Sequence, residues 1–141
     1  MKSLIFYNTR SGNTKGLAEK LKEILEKKGY DCVIYRDKEI KKDLKKLEDY
    51  ELLLIGSCTH IGGPAFFPFR CILKKIRKMD SLKDKYLICF ATSKDPKDWK
   101  KTCGYIKKKL AHLKYIGEVG CVEKEYQNAL EEFEKVISNI K

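Results

Sequence analysis

The sequence predicts an α/β protein in which a five-stranded parallel sheet is covered by helices on both faces. Five short apolar runs alternate with longer segments whose apolar residues recur every three or four positions. The connections are short, and no repeat or low-complexity tail interrupts the alternation. The 141 residues suit one domain, 1–141, with a substantial core. Alternation of this kind is typical of a three-layer fold with a parallel sheet.

The first half of the chain contains three predicted strands, at residues 4–7, 32–35 and 52–55. The third is uniformly apolar, which is typical of a central strand buried on both faces. The helix after the first strand is marked by Leu17, Ala18, Leu21, Ile24 and Leu25. Gly29 is expected to end that helix. Ile40, Leu44 and Leu47 predict a short helix between the second and third strands.

The second half begins with a predicted loop over residues 56–68, then alternates in the same way. Strands are predicted at residues 86–91 and 116–122, with a loop over residues 92–96 after the first of them. Three helices are marked by apolar residues at helical spacing: Phe69, Ile72, Leu73 and Ile76; Trp99, Cys103, Ile106, Leu110 and Leu113; and Tyr126, Ala129, Leu130, Phe133, Ile137 and Ile140.

The turn between the first strand and the first helix has the composition of a phosphate-binding loop. It reads Thr9, Arg10, Ser11, Gly12, Asn13 and Thr14. Backbone N–H groups in such a turn converge on one point, the following helix directs its positive end there, and hydroxyl groups add donors. An ordinary capped helix start needs one or two such residues. The full set therefore indicates a ligand with a terminal phosphate.

Two further loops are expected at the same edge of the sheet. Ligands of parallel α/β sheets bind beyond the carboxyl ends of the strands, where the strand order reverses. The loop after the third strand reads Gly56-Ser57-Cys58-Thr59-His60-Ile61-Gly62-Gly63-Pro64. The loop after the fourth strand contributes Thr92, Ser93 and Lys94. A phosphoacceptor receiver domain shares this topology, but it needs an aspartate at the position of Asn8, so a receiver domain is not expected.

With these motifs in place, the chain resembles the flavodoxin family in its short-chain form. The turn at 9–14 is similar to that family's hydroxyl-x-hydroxyl-Gly-Asn-Thr phosphate loop, and the resemblance covers essentially the whole chain. It implies a flavodoxin-like fold with strand order 2-1-3-4-5 and FMN at the switch point, since flavodoxins are a known example of that arrangement.

The resemblance also implies residue roles. Residues 9–14 would hold the FMN phosphate. The isoalloxazine ring would lie along the loop after the third strand, formed by Cys58, Thr59, His60, Ile61, Gly62 and Gly63. The position of the loop after the fourth strand implies a further contact with the ring, from Thr92, Ser93 and Lys94. Cys58 replaces the usual proline, and His60 replaces the usual stacking Tyr or Trp. A histidine in such a loop could stack on the ring, hydrogen-bond to it, or lie in solvent.

The net charge of +11 sets the chain apart from the many strongly acidic flavodoxins. Residues 70–85 carry seven Lys/Arg against two Asp, and residues 94–114 carry eight Lys against two Asp. Residues 115–141 carry three Lys against six Glu. A solvated lysine face would account for this. A docking surface for an acidic redox partner would also do so, because complementary charge accelerates encounter.

Several function classes remain open on the sequence. An electron-transfer flavoprotein is expected first. A flavin-dependent reductase of a quinone or porphyrin precursor is the second reading, and a flavin-free basic binding module the third. No recognised nucleic-acid motif appears, so nucleic acid is not the expected partner. The six cysteines form no C-x-x-C pair and predict reduced thiols without a metal. No apolar run suits a membrane span or secretion signal, which predicts a cytoplasmic location.

Overall fold

The computed structural model describes residues 1–60, 63–64 and 67–140, with Phe67 described by its backbone alone. The parallel sheet has the order β2-β1-β3-β5-β6, and a short β4 pairs antiparallel with β3. When the short β4 is left out of the numbering, the five remaining strands follow the predicted order 2-1-3-4-5, which is thereby confirmed. The strands are β1 (Lys2–Asn8), β2 (Asp31–Arg36), β3 (Leu52–His60), β4 (Gly63–Pro64), β5 (Tyr86–Ser93) and β6 (Lys114–Val122). The helices are α1 (Asn13–Lys27), α2 (Asp37–Ile40), α3 (Phe67–Arg77), α4 (Asp98–Lys109) and α5 (Gln127–Ile137).

The sheet separates two hydrophobic cores, as the prediction of three layers requires. Side chains alternate along each strand, so that Leu4 and Phe6 of β1 enter one core and Ile5 and Tyr7 the other. Helices α3 and α4 close the first core, and helices α1 and α5 close the second. The central strand β3 is buried on both faces from Leu52 to Cys58, which explains why the run at 52–55 is apolar without alternation.

Helix α1 ends as the sequence predicts. Gly29 has φ of +89°, a left-handed conformation that L-residues with a side chain rarely adopt. The N–H of Gly29 donates to the carbonyl of Glu26, and the N–H of Tyr30 donates to the carbonyl of Leu25. This is the Schellman pattern, which satisfies carbonyls that the helix end leaves unpaired.

The boundaries differ from the predictions at the edge that carries the site. Residues 56–60 belong to β3 rather than to a loop, since Gly56 pairs with Phe90 and Cys58 with Thr92 on β5. β5 likewise runs on to Ser93. The short helix predicted around Ile40 is a four-residue α2 followed by a 3-10 helix, Leu44–Asp49. Leu110 and Leu113, predicted on the fourth helix, follow its end at Lys109.

The two faces of the sheet differ in charge. Helix α3 carries four cations and no anion, and α4 carries five lysines and one aspartate. Helix α1 carries four cations and three anions, and α5 carries one cation and three anions. The pair α3 and α4 therefore has a net charge of +8, and the pair α1 and α5 has −1. Within the described part of the chain, no helix is long and apolar enough to cross a membrane.

Candidate functional site

A cavity of about 680 Å³ opens at the carboxyl edge of the sheet. Its size lies within the range of about 300–1,000 Å³ that is usual for small-molecule sites. Three of the predicted loops meet there, so the edge expected from the sequence is the edge that the fold builds. The predicted residues that line it are Arg10, Ser11, Asn13, Cys58, Thr59, His60, Thr92, Ser93 and Lys94.

The turn after β1 is held in shape by its own residues. Gly12 has φ of +90° and no atom within 4 Å of a hypothetical Cβ, so glycine is required there by conformation and not by space. The N–H of Gly12 donates to the Thr9 hydroxyl at 3.0 Å, and its carbonyl accepts from Gly16 at 3.0 Å. Thr9 and Gly12 thus shape the turn, while Arg10, Ser11 and Asn13 face the cavity.

The start of α1 suits an anion. This helix lies entirely within the described residues, and it has neither a side-chain cap nor an acidic residue in its first turn. The first N–H groups of a helix lack partners within the helix and carry partial positive charge. Arg10, Ser11 and Asn13 stand around this end and line the cavity. The donors present therefore match the chemistry of a phosphate group.

Two pairs of hydroxyl groups join the loops to each other. The Thr14 and Thr92 hydroxyl oxygens are 2.8 Å apart, and both residues are buried. The Thr59 and Thr102 hydroxyl oxygens are 2.7 Å apart and connect the end of β3 to α4. Thr14, predicted to bind the cofactor directly, accordingly lies beneath the cavity surface and connects the first loop to β5.

Cys58 belongs to a buried polar chain that joins β3 and β1 to the first residue of α2. Its thiol donates to Oδ1 of Asn8 at 3.3 Å, and Nδ2 of Asn8 donates to Oδ2 of Asp37 at 2.9 Å. Asp37 is 1% exposed, and its Oδ1 accepts from the N–H of Lys38. Burial raises the pKa of the Cys58 thiol, and hydrogen bonds from backbone N–H groups of Cys58 and Arg10 lower it by less. The sulfur therefore stays protonated near neutral pH, which argues against a reactive thiolate.

The strand-three motif ends in a hairpin. His60 pairs with Gly63 and Thr59 pairs with Pro64, so that β3 and β4 run antiparallel. His60 is exposed and lines the cavity, whereas Gly63 is buried. Ile61 and Gly62, predicted to contact the cofactor, lie outside the described residues. The order of the strands thus brings the segments that follow the first, third and fourth predicted strands into one site.

Sequence reasoning missed three carboxylates of the cavity, those of Asp95, Asp98 and Glu123. Against them stand the two cations Arg10 and Lys94, so the excess positive charge of the chain does not come from the cavity lining. Glu123 follows β6, has φ of +50°, and donates its N–H to the carbonyl of Ser93 at 2.9 Å. Its position just past the last strand is the signal that could have identified it.

Arg36 was also missed. Its Nη2 donates to the carbonyl of Thr9 at 3.4 Å, which brings a second guanidinium to the turn after β1. Arg36 is the last residue of β2, the strand beside β1. The carboxyl edge of the sheet thus places this cation next to the predicted phosphate loop.

These features define a class: a doubly wound α/β protein with a cavity at the switch point between β1 and β3, bordered by a turn whose donors suit an anion. A family model for flavodoxin matches residues 5–139. The chain belongs to the flavodoxin family, and this membership supports a flavin-binding redox protein. No curated protein sequence matches the chain.

Solved structures show the same fold at low sequence identity. A short-chain flavodoxin associated with a non-canonical PDU bacterial microcompartment has a TM-score of 0.84 and 13% identity, over 98% of this chain and 95% of that one. Fusobacterium nucleatum flavodoxin bound to flavin mononucleotide has a TM-score of 0.76 and 17% identity, over 99% and 96%. Rubredoxin oxygen:oxidoreductase from Desulfovibrio gigas has a TM-score of 0.84 and 17% identity over 99% of this chain. The present chain spans about a third of that enzyme, 35% of its length.

Proposed function

We propose that this protein binds FMN and transfers electrons between redox proteins. The observation that carries the proposal is the meeting, in one cavity, of an uncapped helix start with the ends of β3 and β5. A bound flavin would accept and donate the electrons. The chain would supply the binding surface and the electrostatic environment.

The phosphate end of the cofactor is assigned to the turn after β1. Ser11 and Asn13 offer neutral donors at the cavity surface, and Arg10 offers a cation. Arg36 lies against the same turn through its bond to the Thr9 carbonyl. Uncharged donors and helix N–H groups bind phosphate well, and the cations add attraction at longer range.

The ring end is assigned to the space between residues 58–60 and 92–94. These segments end on the adjacent strands β3 and β5, where Cys58 pairs with Thr92. The hydroxyl pair of Thr59 and Thr102 fixes the β3 side, and the buried pair of Thr14 and Thr92 fixes the β5 side. A site whose walls are held in place by hydrogen bonds orients its ligand with little loss of entropy on binding.

Titration of the purified protein with FMN tests the proposal. We expect a one-to-one complex with a perturbed flavin absorption spectrum and quenched flavin fluorescence. Riboflavin, which lacks the phosphate, serves as the matched control and should bind at least about tenfold more weakly, because charge-assisted bonds to the phosphate are lost. Equal affinity for the two flavins would contradict the phosphate assignment. Absence of binding to either would contradict the proposed function.

We further propose that the redox partner is acidic and approaches the face formed by α3 and α4. This face carries the charge of +8 described above. Helix α4 also borders the cavity through Asp98. A basic surface beside the site would steer an acidic partner toward the cofactor, and it would act mainly on the association rate.

Charge reversal on α4 should slow electron exchange with an acidic partner. We expect Lys100→Glu combined with Lys108→Glu to lower the association rate roughly tenfold at low salt, measured by stopped flow with a strongly acidic iron–sulfur protein as donor. The difference should vanish near 0.5 M salt, where screening is strong. The control, Lys20→Glu with Lys27→Glu, changes the net charge equally on exposed positions of α1. Equal slowing by both double variants would contradict a localised docking face.

A further inference from the structure

We propose that Arg70 is a positioning residue that holds the β3–β4 hairpin against the flavin site. The inference rests on the proposed function for the identity of the ligand. The contact itself is a property of the protein without ligand, so it can be tested separately.

Arg70 lies in the first turn of α3 and joins three elements. Its Nε and Nη2 both donate to the carbonyl of Pro64 at 3.1 Å. Its guanidinium carbon lies 4.9 Å from the centroid of the Tyr105 ring on α4. Nη2 would also lie 3.0 Å from a Cβ at position 63, so the guanidinium packs close over the backbone of Gly63. One side chain thus ties β4 to both α3 and α4.

The hairpin needs such a tie because its own pairing is short. Among the described residues, two pairs join β4 to β3, Thr59 with Pro64 and His60 with Gly63. Pro64 has no backbone N–H and contributes no donor to the ladder. A two-residue strand is too short to be stable without further packing. The charged donors of Arg70 make up for this at the Pro64 carbonyl, and charge-assisted bonds are the stronger kind.

Arg70 does not line the cavity, but its partners are continuous with residues that do. Thr59 and His60 line the cavity and pair with Pro64 and Gly63. A shift of β4 would therefore move the β3 wall of the site. Lysine could not replace Arg70, because the planar guanidinium bonds one carbonyl through two nitrogens while stacking on Tyr105.

Three variants test the proposal. Arg70→Met removes the charge and the bonds, and Arg70→Lys keeps the charge but loses the forked, stacked geometry. Lys74→Met removes an exposed cation one turn along the same helix and serves as the control. In the flavin-free protein, we expect both Arg70 variants to raise the hydrogen-exchange rates of the His60 and Gly63 amides roughly tenfold, with no change in Lys74→Met.

The second readout is the bound cofactor. We expect both Arg70 variants to weaken FMN binding roughly tenfold and to shift the first reduction potential of the flavin relative to Lys74→Met. Two measurements distinguish this local effect from general destabilisation. The urea midpoint reports global stability, and the exchange rates of the β1 amides should stay unchanged in both Arg70 variants. Wild-type behaviour of Arg70→Lys would overturn the proposal, because charge alone would then suffice. Unchanged amide exchange in Arg70→Met would also overturn it. Failure of the wild type to bind FMN would refute the proposed function, and the exchange measurement would still decide the role of Arg70.

Discussion

Valine at position 12 is expected to weaken FMN binding by roughly 10- to 100-fold, equivalent to about 1–3 kcal/mol of backbone strain. Gly12 has φ of +90°, a conformation that a β-branched residue adopts at high cost. The turn of the flavin-free variant can relieve the strain by leaving this conformation. Binding must then restore it, so the cost appears in the dissociation constant, which fluorescence titration with FMN measures.

Gly29→Val is a matched control for Gly12→Val. Gly29 has φ of +89° at the opposite end of α1, and a Cβ there would also meet no atom within 4 Å. Because the Schellman hydrogen bonds hold Gly29 in place whereas the turn at Gly12 can relax, the Gly29 variant should lose at least as much free energy of unfolding as the Gly12 variant. Only the Gly12 variant should change FMN affinity, and the Gly29 variant should stay within about twofold of wild type. A similar loss of affinity in both variants would show that global stability, not the shape of the turn, controls binding.

The fold could be predicted because its signals are local and repeated. The alternation of apolar runs with helical spacing persists from β1 to α5, and each segment agrees with its neighbours. The turn at 9–14 was found in the same way, since its six residues are consecutive and their chemistry is unusual for a loop. Gly29 could be placed because a glycine after an amphipathic segment commonly ends a helix.

The remaining features depend on contacts between distant residues. β3 continues past Ile55 because β1 and β5 pair with it as far as Ser57 and Cys58, and β4 then pairs with Thr59 and His60. Polar residues such as Ser57 do not reveal that pairing in the sequence. Asp37, Asn8 and Cys58 form one hydrogen-bonded chain although 50 residues separate Asn8 from Cys58. In the sequence, Arg70 is one of several cations on a basic helix, and only the structure shows its two hydrogen bonds to the Pro64 carbonyl. The charge composition also does not reveal that carboxylates outnumber cations in the cavity, because the lining residues come from segments that are far apart in the sequence.

Alanine at position 56 is expected to lower the free energy of unfolding by about 2–3 kcal/mol, near the upper end of the range for overpacked cores. A Cβ at Gly56 would lie 2.3 Å from Cδ2 and Cε2 of Phe90. Phe90 is fully buried and pairs with Gly56 across β3 and β5. The ring has no free volume to enter, so the strands must separate or the ring must leave its rotamer. Urea denaturation measures the change.

Two further variants make the reason for this loss testable. Gly104→Ala adds the same methyl group in the middle of α4, where a Cβ meets no atom within 4 Å, and should stabilise the protein by about 0.5–1 kcal/mol.

Phe90→Leu opens a cavity and should destabilise the wild type, but it makes room for the methyl group of Gly56→Ala. The double variant should therefore be more stable than the sum of the two single changes predicts, by about 0.5–3 kcal/mol. Simple additivity would refute the steric explanation, because two residues that clash directly must be coupled.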